Sequence, residues 1–256
     1  MLPLDTTKAV ILPRPESLSA TDAASLPLVF LTAYTALRAY AGLSDNPASP
    51  PTILVLGGST GVGIYTIQVA KKRLGCKVIT TASTRNIDFV KGLGADEVID
   101  YTRGSIINDV QQHISEGGYD AIIDCVGGTA LIPYLKTLLK PSAAYITIVG
   151  DKTSRHLAGG PVIYPFFPRM ILRFVLGYLG YGRKYYCISL DPKEEYLKGN
   201  PNLDKSLIVV ALDMFGAGDL KVTVDKIHAF DDALKAFEQL SEGKSRGKIV
   251  VRCHGE

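Results

Sequence analysis

Thr52-Ile-Leu-Val-Leu-Gly-Gly-Ser-Thr-Gly-Val-Gly-Ile-Tyr-Thr-Ile-Gln-Val-Ala-Lys71 is the stretch of sequence that decides the fold. It opens with the apolar run Ile53–Leu56, as a short and fully buried parallel strand does. Apolar residues at helical spacing close it, and between the two lies a turn that contains Gly57, Gly58, Gly61 and Gly63. This order favours a bound pyrophosphate, because a helix start presents unpaired backbone N–H groups and the positive end of the helix dipole. The glycines let the main chain approach the phosphates without a Cβ atom in the way.

The spacing of these glycines is not decisive by itself. The pattern Gly58-x-x-Gly61-x-Gly63 departs from the strict dinucleotide-binding fingerprint, and a tight strand-to-helix turn without a ligand is the alternative interpretation. A Walker-type phosphate loop is excluded, because no Gly-Lys-Ser/Thr sequence follows at the helix start.

Length and composition indicate an ordinary soluble globular protein. The 256 residues suffice for one large domain or two small ones, and 46% of them are hydrophobic and 21% charged. The 28 basic and 25 acidic residues are interspersed and give a net charge of only +3, which argues against a nucleic-acid partner. The N-terminus does not resemble a secretory signal. We therefore expect a cytoplasmic protein, or a mitochondrial one if a targeting segment lies upstream.

Cysteines and histidines are spread along the chain without the short spacings of metal ligands. The cysteines are Cys76, Cys125, Cys187 and Cys253, and the histidines are His113, His156, His228 and His254. We expect no metal site, reduced structural thiols as in an intracellular protein, and histidines at the surface.

One apolar stretch, 162–179, raises the question of a membrane contact. Pro165, Pro168, Arg169 and Arg173 interrupt it, so it is not a clean transmembrane span. The sequence favours a buried or pocket-lining helix, and a weak contact with a membrane surface is the alternative.

Strands and helices alternate from residue 52 onward. The predicted strands are Ile53–Gly57, Lys77–Thr81, Glu97–Asp100, Asp120–Val126 and Ala144–Val149, followed by Tyr185–Leu190 and Lys221–Val224. The predicted helices include Leu28–Ala41, Leu131–Leu139 and Asp231–Leu240, and most of 196–215. This alternation predicts an α/β fold with a doubly wound parallel (Rossmann) sheet, in which a ligand binds at the carboxyl ends of the strands.

The end of the second predicted strand bears on the choice of cofactor. Ser83 lies twenty positions after Gly63, where an acidic residue would hydrogen-bond the ribose 2′-hydroxyl of NADH, and the first carboxylate that follows is Asp88. A small hydroxyl followed by Arg85 can instead accommodate a 2′-phosphate. The sequence therefore favours NADPH over NADH, and a solvated Arg85 at a helix start is the alternative interpretation.

These segments together resemble the zinc-independent medium-chain dehydrogenases/reductases of the quinone oxidoreductase and enoyl reductase branch, in their fungal form. The matching motifs run in the family's order over nearly the whole chain: Ala23–Leu37, Gly58–Gly63, Ile67–Lys71, Leu93–Tyr101, Tyr119–Gly128, Leu138–Pro141, Phe230–Glu238 and Gly243–Val251. The resemblance implies an NADPH-dependent oxidoreductase that passes hydride to a quinone or to an enone or enoyl C=C bond without a metal ion.

The resemblance also implies which residues contact the cofactor. The expected set is Thr32, Gly58, Ser59, Thr60, Gly61, Val62, Gly63, Ser83, Arg85, Tyr101, Val126, Val149 and Gly150. Within it, Ser59–Val62 would contact the pyrophosphate, and Thr32 would lie near the nicotinamide. Ser83 and Tyr101 would border the 2′-phosphate. Relatives often carry a lysine at the position of Ile87, and the arginine two positions before it is the candidate substitute.

By the same resemblance the chain divides into three parts. Residues 1–40 correspond to the end of a β-rich substrate (GroES-like) domain, 41–215 to the NAD(P)-binding Rossmann domain, and 216–256 to the return of the chain to the substrate-domain remnant. Family members carry a longer front domain that forms one wall of the active-site cleft, and this chain starts near the end of it. A cofactor-binding protein without turnover, which acts as a binding module or partner, is therefore the alternative function.

The sequence does not identify a general acid. Tyr34, Tyr164 and Tyr181 are pocket candidates by composition, although packing explains each of them as well. A short-chain dehydrogenase is set aside, because no Tyr-x-x-x-Lys pair follows the fourth or fifth predicted strand. The expected partners are a small-molecule substrate and, by analogy with relatives that pair edge to edge around 185–190, a second copy of the chain.

Overall fold

The computed structural model describes residues 12–45, 47–114, 117–151, 168–188 and 207–253. Its main strands are β1 (Thr52–Leu56), β2 (Lys77–Ala82), β3 (Glu97–Asp100), β4 (Tyr119–Asp124), β5 (Leu139–Thr147) and β6 (Lys184–Cys187). They form one six-stranded sheet in the order β3-β2-β1-β4-β5-β6, and all neighbouring pairs are parallel. The predicted α/β fold with a doubly wound parallel sheet is confirmed, and its two halves meet between β1 and β4.

The central strand β1 is buried along its whole length. Ile53 lies opposite Val78 of β2 on one side and opposite Ala121 of β4 on the other. A parallel strand with both faces covered needs apolar residues at every position, which explains why the sequence shows a continuous apolar run there and not an alternation.

Helices cover both faces of this sheet. They are α2 (Pro27–Thr35), α3 (Gly61–Gln68), α4 (Ile87–Gly92), α5 (Ile106–Gln112), α6 (Leu135–Leu138), α7 (Pro168–Tyr178) and α8 (Leu207–Gly216). α1 (Ala20–Ser25) precedes them and packs against α2. π-helical turns prolong α2 through Ala36–Tyr40 and α3 through Val69–Arg73. One core cluster, with Phe30 and Ile64, lies on the face covered by α2 and α3, and a second, with Val110, lies on the opposite face.

A second sheet of two parallel strands lies near the C-terminus. It pairs β7 (Val224–Ala229) with β8 (Lys248–Arg252), and α9 (Ala233–Glu242) connects them. α9 ends where Gly243 adopts a φ of +62°, which glycine does without a Cβ penalty. Because α1 packs against β7 and β8, the N-terminal and C-terminal parts of the described chain meet.

Some predicted boundaries are wrong. The sequence predicts a helix through Leu139, but β5 begins at this residue, which pairs with Tyr119 of β4. The sequence also predicts a strand from Lys221, but β7 begins at Val224. The side chain of Gln68 hydrogen-bonds both the N–H and the carbonyl of Lys221, so these groups do not pair with a neighbouring strand. Parts of the predicted strand 185–190 and of the predicted helix 196–215 lie outside the described residues.

α7 is the described part of the apolar stretch 162–179, and the prediction of a buried helix is wrong for it. Only Met170 and Gly177 are buried, whereas Leu172 is 56% and Tyr178 is 84% exposed. Periodicity predicts a helix but not the surface that covers it, so the exposure could not be foreseen. Among the helices of the described ranges, none has the length and apolar character needed to cross a membrane.

Candidate functional site

The turn between β1 and α3 is closely packed at the carboxyl end of the sheet. A Cβ atom on Gly58 would lie 2.3 Å from Oγ1 of Thr80, and one on Gly63 would lie 2.2 Å from the carbonyl oxygen of Gly57. Neither position has room for a side chain. The glycines therefore allow α3 to begin directly against β1 and β2.

The start of α3 presents backbone donors to an anion. Oγ1 of Thr60 accepts a hydrogen bond from the N–H of Gly63 (3.1 Å) and donates one to the carbonyl of Gly57 (2.8 Å), which fixes the N-cap. Helical geometry leaves the N–H groups of Gly61 and Val62 outside the helical hydrogen-bond ladder, and both residues are only partly buried. The nearest atom to a Cβ built on Gly61 is 3.3 Å away, in a lysine side chain. The lysine side chain is flexible and positively charged, so open donors, the helix dipole and this neighbouring charge fit a pyrophosphate.

Asp124 is a fully buried carboxylate at the end of β4. Its Oδ1 accepts hydrogen bonds from the N–H groups of Val126 (3.0 Å) and Gly127 (2.8 Å). Its Oδ2 accepts from the hydroxyls of Tyr145 (2.8 Å) and Thr147 (3.0 Å). Burial, and then the charge of Asp124, raise the pKa of Tyr145 far above its usual range, so the phenol stays a donor. Asp124 thereby fixes the backbone of the loop that follows β4.

The loop after β4 covers the glycine turn and is hydrogen-bonded to the loop after β5. Cγ2 of Val126 would lie 2.6 Å from a Cβ built on Gly57, so Val126 covers the turn. The N–H of Gly128 donates to the carbonyl of Gly150 (3.2 Å), and the N–H of Gly150 donates to Oγ1 of Thr147 (2.9 Å). Val126 therefore borders the crevice between β1 and β4, where the strand order reverses, and Gly150 lies in the adjoining loop after β5.

The end of β2 reaches the same turn through Asn86. Nδ2 of Asn86 donates to Oγ of Ser59 (3.0 Å), and the N–H of Asn86 donates to the carbonyl of Ser83 (2.8 Å). Arg85 is exposed, and its Nη2 donates to the carbonyl of Lys244 (2.7 Å). The segment from Ser83 to Asn86 is thus fixed beside the glycine turn.

Asp100, at the end of β3, is a carboxylate that the sequence analysis missed at this edge. It lies opposite Ala82 of β2. It accepts hydrogen bonds from Oγ1 of Thr84 (2.5 Å) and from the N–H (3.0 Å) and Oγ1 (2.6 Å) of Thr102, and Nε of Arg103 lies 3.3 Å away. The hydrogen bonds from Thr102 and Thr84 hold the pKa of Asp100 below its usual value. Asp100 is therefore ionised and already engaged by its neighbours.

Three further residues of the predicted set, Thr32, Tyr101 and Val149, lie outside the glycine turn. The hydroxyl of Thr32 is buried within α2 and donates to the carbonyl of Leu28 (2.7 Å). Tyr101 is 51% exposed beyond β3, and Val149 is partly buried after β5. The structure thus brings Val126 and, through Asn86, the segment after Ser83 to the glycine turn. Among the described residues, no hydrogen bond joins Arg85, Gly150, Thr32, Tyr101 or Val149 to the turn.

The tyrosines suggested by composition do not converge on a pocket. Tyr34 is 3% exposed and its ring stacks on Phe30 with centroids 5.7 Å apart, so it is a packing residue. Tyr181 is 75% exposed, and Tyr164 lies outside the described residues.

A polar cluster that the sequence does not predict lies beyond β5 and β6. Nη1 of Arg173 contacts both carboxylate oxygens of Asp151 (2.6 and 2.8 Å), and the hydroxyl of Tyr185 donates to Asp151 (3.1 Å). The rings of Tyr185 and Tyr145 stack with centroids 5.6 Å apart. Burial, and then the charge of Asp151, raise the pKa of Tyr185 above its usual range. The stacked rings connect α7 with the buried carboxylate Asp124.

Within the described ranges, no group of three or more His, Cys, Asp or Glu side chains could hold a metal ion. The expectation of surface histidines is wrong for His228, which is 7% exposed and whose Nε2 lies 2.9 Å from Oε1 of Gln239, because α9 packs on β7. Cys76 and Cys125 are buried thiols, and burial raises the pKa of Cys76 to about 12. Such thiols stay protonated and unreactive at neutral pH.

Sequence reasoning missed Asp124 and Arg246, which contacts Asn86 through two guanidinium nitrogens (3.1 and 2.9 Å). Asp124 had a signal, because a carboxylate in an otherwise apolar strand must find donors when it is buried. Arg246 had none, because it meets Asn86 only through the topology of the folded chain.

Comparison with known proteins identifies relatives of this chain. A model of the family described as zinc-binding dehydrogenase matches residues 93–251. The mouse protein named "NAD(P)H oxidoreductase RTN4IP1, mitochondrial" is 33% identical over 243 residues, which cover 93% of this chain and 57% of that protein. The trans-enoyl reductase poxH of Penicillium oxalicum is 31% identical over 207 residues, which cover 80% of this chain and 50% of that protein. The chain thus spans between 50% and 57% of the length of these curated relatives.

Solved structures share the same architecture. The quinone oxidoreductase from Coxiella burnetii matches with a TM-score of 0.68 and 28% identity, over 95% of this chain and 64% of that chain. The CurK enoyl reductase matches with a TM-score of 0.68 over 94% of this chain and 64% of that chain, and its 22% identity shows the fold alone.

Proposed function

The chain belongs to the zinc-binding dehydrogenase family of the medium-chain dehydrogenases/reductases, and we propose that it binds NADPH and reduces a quinone or an enone or enoyl C=C bond. The family match confirms the resemblance that the motifs predict. The extension to this chemistry rests on the names of the relatives, which include an NAD(P)H oxidoreductase, an enoyl reductase and a quinone oxidoreductase. Because the chain spans only part of their length, the activity itself is a proposal.

The observation that carries the proposal is the glycine turn at the boundary between β1 and β4. Gly58 and Gly63 allow no side chain, and the N–H groups of Gly61 and Val62 lie outside the ladder of α3. A parallel sheet binds its ligand at the carboxyl end where the strand order reverses, and this turn occupies that position.

The proposed contacts are assigned to the successive parts of the dinucleotide, from the pyrophosphate to the nicotinamide. Ser59–Val62 would hold the pyrophosphate, and Val126 with Val149–Gly150 would line the nicotinamide side, with Thr32 behind them. When bound, NADPH supplies the hydride. The contribution of the chain is to orient the reactants and to exclude water, which Asp124 supports by fixing the loop after β4.

The proposal of NADPH over NADH rests on the charges beyond β2. Ser83 and Arg85 lie there, and Tyr101 borders the same edge from β3. The carboxylate nearest to this edge in the fold, Asp100, already accepts hydrogen bonds from Thr84 and Thr102. In other folds of this type, the ribose 2′-hydroxyl of NADH donates a hydrogen bond to a carboxylate. To bind Asp100 in that way, the hydroxyl would have to displace the threonine donors.

The three-part domain division is likewise a proposal. The contact of α1 with β7 and β8 supports an association of residues 1–40 with 216–256, next to a cofactor domain at 41–215. In the alternative function, the chain binds the cofactor without turnover. This alternative is favoured by the chain matching only 57% and 50% of the length of the mouse and Penicillium relatives.

A second copy of the chain is the proposed partner besides a small substrate. β6 is one of the two edge strands of the main sheet within the described ranges, and its outer edge can pair with another strand. A weak membrane contact through 162–179 is the alternative use of the exposed side of α7. The proposed compartment is the cytoplasm, with the mitochondrion as the alternative because the mouse relative carries that word in its name.

The test is a fluorescence titration of the purified chain with NADPH and NADH, followed by addition of a quinone and of an enone. The proposal expects tighter binding of NADPH and oxidation of NADPH when one of the acceptors is added. Binding without oxidation would favour the alternative function. Absence of binding to either nucleotide would overturn the cofactor assignment itself.

A further inference from the structure

The loop that joins α9 to β8 crosses the carboxyl edge of β1 and β2. The N–H of Gly247 donates to the carbonyl of Ser59 in the glycine turn (3.4 Å). The carbonyl of Lys244 accepts the hydrogen bond from Arg85 (2.7 Å). A segment that belongs to the second sheet therefore closes over the cofactor end of the first.

Within this loop, Arg246 is anchored by several contacts. Its Nε and Nη2 donate to Oδ1 of Asn86 (3.1 and 2.9 Å), and Nη2 also donates to the carbonyl of Arg85 (3.3 Å). The guanidinium lies over the ring of Phe89, 4.7 Å from its centroid. Asn86 in turn donates to Oγ of Ser59, so the chain of contacts ends in the glycine turn. A guanidinium that is stacked and anchored in this way loses little entropy when it binds a ligand.

One edge of this guanidinium is left open. Nη1 of Arg246 has no hydrogen-bond partner among the residues that the structure describes, and the side chain is only partly buried. The nearby carboxylate Asp100 is occupied by Thr84 and Thr102. A planar group with free donors and a fixed positive charge suits a phosphate better than a hydroxyl.

We infer that Arg246, supported by Arg85, recognises the 2′-phosphate of NADPH and so determines the preference for NADPH over NADH. The inference rests on the proposed function, because it presupposes a dinucleotide at the glycine turn. In folds of this type the adenosine ribose lies beyond β2, and Arg246 is bonded to that segment through Asn86. The phosphate-recognising charge then comes from outside the main sheet, and Ile87 needs no lysine in its place.

Lys248 provides an internal contrast on the same segment. Its Cδ would lie 3.3 Å from a Cβ built on Gly61, so its side chain passes over the start of α3. The pyrophosphate proposed for that position is common to NADPH and NADH. Loss of the Lys248 charge should therefore lower the affinities for NADPH and NADH equally. Loss of the Arg246 charge should lower only the affinity for NADPH.

The experiment compares the affinities of NADPH and NADH for the wild type and for Arg246→Leu, Arg246→Lys, Lys248→Met and Arg252→Leu. Arg246→Leu should lower the affinity for NADPH by about 10- to 100-fold and leave the affinity for NADH within about twofold of the wild type. Arg246→Lys keeps the charge and should retain part of the NADPH affinity. Arg252 is exposed at the far end of β8, so Arg252→Leu is the control with the same change of net charge. Thermal unfolding of each variant shows whether the loop remains folded.

Ionic strength gives a readout that a purely structural arginine would not change. The wild-type preference for NADPH should fall as salt is added, and that of Arg246→Leu should be low at every salt concentration. Equal weakening of both nucleotides by Arg246→Leu, or no weakening, would overturn the inference while the proposed function stands. A wild type that binds neither nucleotide would overturn both.

Discussion

At the carboxyl end of β4, one carboxylate accepts hydrogen bonds from two backbone N–H groups and two hydroxyls. Asp124 is fully buried, so donors from the protein and not bulk water must satisfy its oxygens, and the described residues supply these four. The donors come from the loop after β4 and from β5, and the same loop covers the glycine turn through Val126. A single side chain thus fixes the loop after β4 to β5 on one side of the crevice.

Asp124→Ala should lower the free energy of unfolding by about 3–5 kcal/mol, because it leaves buried donors without acceptors. Asp124→Asn keeps the shape and one acceptor and should cost less. The measurement is urea unfolding, with Asp88→Ala as the control, since Asp88 is exposed in α4 and should change stability by less than about 1 kcal/mol. A loss for Asp124→Ala no larger than the control would contradict this account.

The buried thiol of Cys76 should make the free energy of unfolding decrease at alkaline pH. Burial raises the pKa of its thiol to about 12, so the folded protein keeps a proton that the unfolded chain releases near pH 8.5. The stabilising contribution is complete below about pH 8.5 and should decrease by about 1.4 kcal/mol per pH unit from there to about pH 12. Cys76→Ala should remove this part of the slope in urea unfolding between pH 8 and 10. Cys253→Ala is the control because Cys253 is exposed, and equal slopes for the two variants would contradict the assignment.

At the scale of elements, the tie between α3 and the segment before β7 depends on one buried amide. Oε1 of Gln68 accepts from the N–H of Lys221 (2.7 Å), and its Nε2 donates to the carbonyls of Lys221 (3.1 Å) and Ile64 (3.2 Å). The side chain joins the helix that carries the glycine turn to the second sheet.

Gln68→Met keeps the volume of the side chain and removes all of its hydrogen bonds. It should lower the free energy of unfolding by about 1–3 kcal/mol, because Gln68 is 2% exposed and its partners lose their acceptor or donor. Gln112→Met, at an exposed position of α5, is the matched control and should change stability by less than about 0.5 kcal/mol. Urea unfolding compares the two, and equal midpoints would show that the tie contributes nothing.

Elements were predictable where the signal was local. The apolar run of β1 and the glycines after it fix a strand, a turn and a helix within twenty residues, 52–71. α9 was equally predictable from its periodicity, but its apolar side chains are exposed, with Leu234 at 79% and Phe237 at 67%. Periodicity gives the face of a helix and not its partner. The same reason explains the wrong prediction for α7.

The residues of the candidate site were likewise predictable where they are consecutive in sequence, and not where long-range contacts bring them together. Ser59–Val62 could be predicted because turn, glycines and helix start are consecutive in sequence. The contacts of Arg246 and Asp124 could not, because they join residues that only the strand order and the second sheet bring together. Long-range contacts of this kind carry no periodic signal.

At the scale of the whole molecule, two sheets share one crevice. The main sheet provides the glycine turn, and the segment before β8 closes over it through Gly247 and Arg246. The central claim is that a dinucleotide binds at this turn, with its pyrophosphate at the start of α3. Binding at this turn requires neither a particular substrate nor catalytic turnover.

The most direct measurement is NADPH affinity after Gly61→Asp, compared with Gly182→Asp. Each variant adds one carboxylate. A Cβ atom at Gly182 meets nothing within 4 Å, and one at Gly61 lies 3.3 Å from Cδ of Lys248, a tight contact that the flexible lysine side chain relieves by a small shift. An aspartate at the start of α3 suits the helix and repels a pyrophosphate, so Gly61→Asp should stay folded and lose at least about tenfold in NADPH affinity. Gly182→Asp should bind as the wild type does. Equal affinities for the two variants would contradict a dinucleotide at the glycine turn.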